Sequence, residues 1–138
     1  KNFKSLHPGG NLGKDLKYAI EIMHTKNQIP IVDQNVKMSK AIIVMTEKSF
    51  GCLGVIDKSK RIIGIITDGD LRRKMNSKFF EKKAKEIMTK NPTIAHKEML
   101  VGEAINIMND KKITSLFVCE DKKPIGIVHI HDLLRLTS

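Results

Sequence analysis

Thr67 and Asp70 stand three residues apart, where the apolar run from Ile62 to Ile66 gives way to a helix-forming stretch through Lys74. At such a junction the first backbone N–H groups lack intrahelical partners, and with the helix dipole they favour an anion such as phosphate. The Thr67 hydroxyl adds a donor, and the Asp70 carboxylate, which only accepts, suits a ribose diol. The same pair also has a purely local use, as caps of the helix that touch no ligand. Both readings stand on these residues alone. Arg72 and Arg73 follow; they offer planar donors to a phosphate or a sugar carboxylate, or else line a solvated helix face.

The motif occurs twice. I-I-G-I-I-T-D-G-D-L-R-R at 62–73 is answered by P-I-G-I-V-H-I-H-D-L-L-R at 124–135, so that Gly64, Asp70, Leu71 and Arg73 match Gly126, Asp132, Leu133 and Arg135 at a spacing of 62. Two copies of one small unit pack against each other and create paired clefts. The second copy departs from the first at His129, which stands where Thr67 does. A neutral imidazole donates one hydrogen bond, and a protonated one adds charge near a pKa of about 6.5, so the two clefts are expected to differ in ligand or affinity. His131 is expected on the other side of the turn, as a contact or a solvated group. His24, His129 and His131 suggest a metal, but the spacing H-x-H has no carboxylate or Cys cluster behind it, and no metal is expected. No nucleophile–base pair appears. His7, in His-Pro-Gly-Gly at 7–10, cannot shuttle protons alone.

These residues need elements to hold them. The N-terminal Gly- and Lys-rich stretch to residue 14 reads as a loop. Leu12, Leu16, Ala19, Ile20 and Met23 follow helical spacing, and Pro30-Ile31-Val32 reads as extended. Ser39 is a candidate cap for a helix over 40–49, with Ala41, Ile42 and Met45 facing inward. Leu53 to Ile56 and Ile62 to Ile66, joined by Asp57-Lys58-Ser59-Lys60, read as a hairpin. The second copy repeats the order: Ile87-Met88 echoes Ile22-Met23, Pro92-Thr93-Ile94 is extended, and a helix spans 101–111. A hairpin over Leu116 to Cys119 and Ile125 to His129 and a last helix over Ile130 to Leu136 complete it. Residues 76–84 link the copies, with Phe79 and Phe80 as the packing anchor. The expected fold class is α+β, two β-α-β-β-α units packed sheet to sheet with pseudo-two-fold symmetry around one shared core.

The chain has 138 residues, 41% of them hydrophobic and 4% aromatic, which predicts an aliphatic core; Met45 and Met108 read as its filler. Lys plus Arg at 25 against Asp plus Glu at 15 gives +10. The lysines are scattered and few aromatics accompany them, so the charge reads as a solvated surface rather than a nucleic-acid interface. Cys52 aligns with Ser115 and Cys119 with Ile56; neither lies in C-x-x-C, and both read as small buried hydrophobes. No membrane span or signal peptide is evident, and free thiols suggest the cytoplasm. A first residue of Lys suggests a fragment of a longer chain.

The order Ile-Met, Pro-containing strand, helix with A-x-x-x-M, hairpin and G-I-x-x-x-x-D-L, found in both copies over 22–136, resembles the tandem CBS-domain pair, or Bateman module. Ser-Leu-His-Pro-Gly-Gly-Asn-Leu-Gly-Lys at 5–14, Ile22-Met23-His24-Thr25, Thr67-Asp68-Gly69-Asp70-Leu71-Arg72-Arg73, Ile113-Thr114-Ser115 and His129-Ile130-His131-Asp132-Leu133-Leu134-Arg135 resemble the C-terminal half of bacterial D-arabinose-5-phosphate isomerases. The resemblance implies that residues 1–14 are the tail of a preceding sugar isomerase domain, 15–75 the first repeat, 76–84 a linker and 85–138 the second repeat. It implies a parent aldose–ketose isomerase that feeds Kdo and lipopolysaccharide synthesis, with His7 belonging to the absent domain's site. It further implies a nucleotide or nucleotide-sugar ligand, CMP-Kdo for feedback, with Thr67 on phosphate and Asp70 on ribose. His129, Asp132, Arg73, Arg135 and Thr114 complete the candidate ligand-binding set, and no cofactor is expected. The partners implied are the chain's own isomerase domain and further copies of itself; the alternative is a ligand-free module that only dimerises.

Overall fold

The computed structural model describes residues 17–135; His7, Leu12 and Leu16 lie outside the described residues. In chain order the elements are α1 (Ala19–Ile22), β1 (Ile31–Asp33), α2 (Met38–Lys48), β2 (Cys52–Ile56), β3 (Ile62–Thr67), α3 (Asp68–Lys74), α4 (Ala84–Ile87) and β4 (Thr89–Lys90), followed by β5 (Ile94–His96), α5 (Val101–Lys111), β6 (Ser115–Glu120), β7 (Lys123–His129) and α6 (Ile130–Arg135). One sheet has the order β1-β2-β3-β4 and the other β5-β6-β7. In each copy a parallel pair, β1 with β2 or β5 with β6, precedes an antiparallel hairpin. This is the expected β-α-β-β-α order, repeated.

The middle strands β2 and β6 are apolar on both faces because both faces are covered. On the outer face of the first sheet, Met38, Ala41 and Met45 of α2 pack on Leu53, Val55 and Ile66. Val101, Ala104 and Met108 of α5 do the same against Leu116, Val118 and Val128. Between the sheets lie Ile29, Cys52, Ile56, Ile62, Phe117, Cys119 and Ile127, the shared core. Both cysteines are buried, and burial pushes the Cys52 thiol up to about 12 and that of Cys119 to about 11, so neither is a nucleophile at neutral pH.

Each copy is completed by a segment of the other. Residues 17–24 open the first repeat in sequence but pack on the second copy: Val101 donates its N–H to Lys17 O at 2.8 Å, and Ala19 donates to Met99 O at 2.8 Å. His24 then bridges to Ile127 of β7. Residues 82–90 reciprocate on the first copy, with Met38 donating to Lys82 O at 2.8 Å, Ala84 to Val36 O at 2.8 Å, and β4 pairing with β3. This exchange corrects two sequence expectations. Ser39 does not cap α2; the helix starts one residue before it, at Met38, because the Lys82 carbonyl already satisfies the N–H of that fully buried residue. The first helix shrinks to Ala19–Ile22 in the described residues, since Tyr18 and His24 are held in β-bridges to the second copy. The linker anchor is Phe79 alone: its ring is fully buried, whereas Phe80 is 49% exposed and stacks edge-on against it.

The crossing segments demand close approach. A Cβ on Gly126 would lie 2.2 Å from Met23 Sδ and 3.0 Å from the His24 carbonyl oxygen; for one on Gly64 the three nearest atoms all belong to the Met88 side chain. Gly126→Ala is expected to cost about 1–3 kcal/mol and Gly64→Ala less, because a methionine can yield and a bridged backbone cannot. Urea unfolding of the two variants checks the order; a Gly64→Ala loss equal to or larger than that of Gly126→Ala counts against the argument.

Candidate functional site

Strand β3 ends at Thr67, which caps α3. Thr67 Oγ1 accepts from Asp70 N at 3.3 Å, while Thr67 N donates to Asp70 Oδ2 at 3.0 Å. Asp70 is 1% exposed, and its other oxygen accepts from Arg73 Nη2 at 2.6 Å and from the Thr89 hydroxyl at 2.9 Å. Burial works against the Asp70 charge, but the Thr67 N–H, the Thr89 hydroxyl and the Arg73 guanidinium outweigh it and hold the carboxyl below its usual range. Of the two readings left open by the sequence, the geometry shows the cap. The carboxylate also does something the sequence did not reveal, because Thr89 belongs to the crossing strand β4: Asp70 staples the exchanged segment to the sheet it serves.

The second copy repeats the staple with other atoms. His24 Nε2 lies 2.8 Å from Asp132 Oδ2, and Arg135 donates to Asp132 Oδ1. His24 occupies the crossing position equivalent to Thr89, since His24 pairs with Ile127 as Thr89 pairs with Ile65. Burial again opposes the Asp132 charge, and His24 and Arg135 outweigh it, so its carboxyl also sits low. Arg73 and Arg135 are thus turned back onto carboxylates of their own helices rather than toward a cleft. His129 Nδ1 accepts from the His131 N–H at 3.1 Å, and burial, with His131 and His24 nearby, lowers its pKa below the usual value; at neutral pH it offers one N–H and no charge. His131 is not across the turn as expected, but stacks on His129 with ring centroids 4.9 Å apart. Among the described residues no group of three His, Cys, Asp or Glu side chains is arranged to hold a metal ion.

A cleft of about 420 Å³ opens between the copies beside Thr67. Thr67, Asp68, Gly69 and Arg72 form one wall, Lys112, Ile113 and Thr114 the other, and Cys52, Ile65 and Ser115 also line it. Its chemistry is mixed: an apolar floor able to take a flat ring, hydroxyls at Thr67 and Thr114, and two cations against the one Asp68 carboxylate. Thr67 and Thr114 were legible as candidates and meet here. Lys112 was not; it caps α5 in the left-handed region with φ 58°, and nothing local marks it as facing a cleft. Arg72, an open choice in the sequence, lines the cleft where Arg73 does not.

The CBS domain family profile matches residues 19–77 and 84–138. An uncharacterized protein of Rickettsia prowazekii is 44% identical over 135 residues, and arabinose 5-phosphate isomerase KdsD of Yersinia pestis is 38% identical over 138. Each alignment takes in 98% of this chain and 42% of the relative, so the chain spans about two fifths of the length of the curated relatives it matches. Among solved structures, CBSX2 in complex with AMP superposes with a TM-score of 0.75 at 23% identity, covering 88% of this chain and 96% of that one. No helix among the described residues is long and apolar enough to cross a membrane.

Proposed function

This chain belongs to the CBS-domain family as a tandem pair, and on that premise we propose that it is the ligand-sensing regulatory module of an arabinose-5-phosphate isomerase. The parent is an aldose–ketose isomerase of Kdo and lipopolysaccharide synthesis in the cytoplasm, and its catalytic domain precedes this pair. The module takes a nucleotide or nucleotide-sugar in the cleft beside Thr67, with CMP-Kdo the favoured ligand. The observation that carries this reading is the cleft itself, with Thr67, Arg72, Lys112 and Thr114 around an apolar floor. Arg72 and Lys112 meet phosphate, the two threonine hydroxyls orient it, and the base lies on Ile65. Asp70, closed by its own donors, holds the wall in place and reaches a ribose only if Arg73 yields. The isomerase names among the relatives support the identity of the parent. A second reading has its own observation: Ile43 on α2 and Leu134 on α6 are 56% and 43% exposed, apolar faces that suit association of pairs and so of isomerase subunits.

Calorimetry with CMP-Kdo, CMP, AMP and ATP tests the sensing reading. At least one is expected to bind more tightly than millimolar, worth about 4 kcal/mol. Arg72→Ala is expected to weaken that ligand about 10- to 100-fold, as loss of a charged hydrogen bond does, while Arg73→Ala weakens it less. Absence of binding by all four, together with an unchanged oligomeric state, leaves the scaffolding reading in its place.

A further inference from the structure

The second cleft, related to the first by the pseudo-two-fold axis, is not a copy of it. Where the first has Thr67, Gly69 and Arg72, the second has His129, His131 and Leu134, and Lys112 and Ile113 are answered by Ser49 and Phe50. Arg72 and Lys112 thereby lose their cations, and Thr67, Gly69 and Ile113 give way to larger rings, while Thr114 and Asp68 are answered by Gly51 and Ile130. Gly69 lines the first cleft without a side chain, and a Cβ there would lie 3.1 Å from the Arg73 guanidinium and 3.6 Å from Thr67 Oγ1. In the second, the Phe50 ring is edge-on to His24 with centroids 5.1 Å apart and tilted against His129 at 6.4 Å, while His131 stacks on His129. The four rings form one chain of contacts, and three of them, Phe50, His129 and His131, stand at the positions equivalent to Ile113, Thr67 and Gly69 of the first cleft.

The plug is fixed from both copies. The Phe50 carbonyl accepts from Ser115 Oγ at 3.0 Å, which ties the residue to β6 of the second copy. His24, the ring's main partner, is held by Asp132. Outside the layer remains an open depression of about 540 Å³, lined by His24, Asn27, Gln28, Glu47, Lys48 and Phe50. None of the residues that line it belongs to β7 or α6, and Phe50 and His24 stand between it and His129 and Asp132.

We infer that the pair is one-sited: it takes a single ligand in the Thr67 cleft, and Phe50 occupies the second cleft in the ligand's place. The inference rests on the nucleotide-binding reading above for the identity of the ligand, but the plug itself rests on ring positions alone. It gives Phe50 a role as the residue that sets stoichiometry.

The test titrates AMP into the chain and into Phe50→Ala, with sites counted per chain. One site is expected in the native chain and two in the variant, and adding Thr67→Val to Phe50→Ala should return the count to one. Two sites in the native chain, or one in Phe50→Ala, overturn the inference. In parallel, the chain is treated with diethyl pyrocarbonate and acylation of His129 is followed by mass spectrometry, with the exposed His131 as internal reference. Phe50→Ala should react several-fold faster than the native chain, and equal rates overturn the plug even if AMP binds to neither protein. A fast-reacting variant with no AMP site in either protein upholds the plug and sinks the nucleotide reading instead.

Discussion

Phe117→Ala is expected to lower stability by about 3–5 kcal/mol, the range for deleting a fully buried aromatic ring. Phe117 lies on the central strand of the second sheet, is fully buried, and packs between the sheets with Ile29, Ile56, Ile62 and Ile127. It aligns with Gly54 of the first copy, and the two are complementary across the interface: a Cβ on Gly54 would come within 2.9 Å of the Phe117 Cζ. One ring thus fills the room that two equivalent side chains would contest. With the ring gone, Gly54 has nothing to fill the void, and the sheets lose the spacer that sets the distance from Thr67 to Thr114. Urea unfolding should show the lowered midpoint, and AMP titration should show the Thr67 cleft weakened in the still-folded fraction. A loss below about 1 kcal/mol means that the sheets collapse onto the space, and the spacer argument fails.

Asp70→Ala is expected to cost about 2–3 kcal/mol, because it strips acceptors from a backbone N–H, a hydroxyl and a guanidinium in a closed site. The effect has a pH signature. The folded carboxyl titrates below its unfolded value of about 4, so its stabilisation is complete above that value and disappears as pH falls through the lower folded one. The native chain should therefore lose stability on acidification below about pH 4 more steeply than Asp70→Asn, which has no charge to lose there. A double-mutant cycle with Thr89→Val isolates the staple: coupling between the two sites means that Asp70 holds β4, and additive losses mean that it serves only as a cap. Asp132→Ala should cost less, since its side chain is 20% exposed against 2% for Asp70.

The staples show why sequence reached the candidate residues but not their partners. Thr67, Asp70, His129 and Asp132 announce themselves through a repeated motif, and a Thr three residues before an Asp at a strand end is a local signal. Thr89 carries no such signal. Its only mark is its equivalence to His24, one residue past the matching Ile-Met pairs, and what that position does becomes visible once β4 and the His24 bridge are seen on opposite sheets. Phe50 is similar: one aromatic after a helix reads as ordinary core, and its meaning lies in which imidazoles surround it. Phe79 and Phe80, adjacent in the chain, could not be told apart without knowing which faces the α2 side of the first sheet.

The sequence by itself determined the duplication, the order of strands and helices in each copy, the aliphatic faces of α2 and α5, and the position of the mismatch between Thr67 and His129. Those are local properties, written in periodicity, turn chemistry and the alignment of the chain with itself. Only the tertiary structure decided which copy each crossing segment completes, that the aspartates hold protein donors, and which residues of the two copies meet in the cleft beside Thr67. These depend on which distant group satisfies a given N–H, carboxylate or ring face. A hydrogen-bond partner 19 or 108 residues away, like Thr89 for Asp70 or His24 for Asp132, leaves no trace in local spacing. The repeat makes two clefts equivalent in backbone, and side chains arriving from the opposite copy make them different.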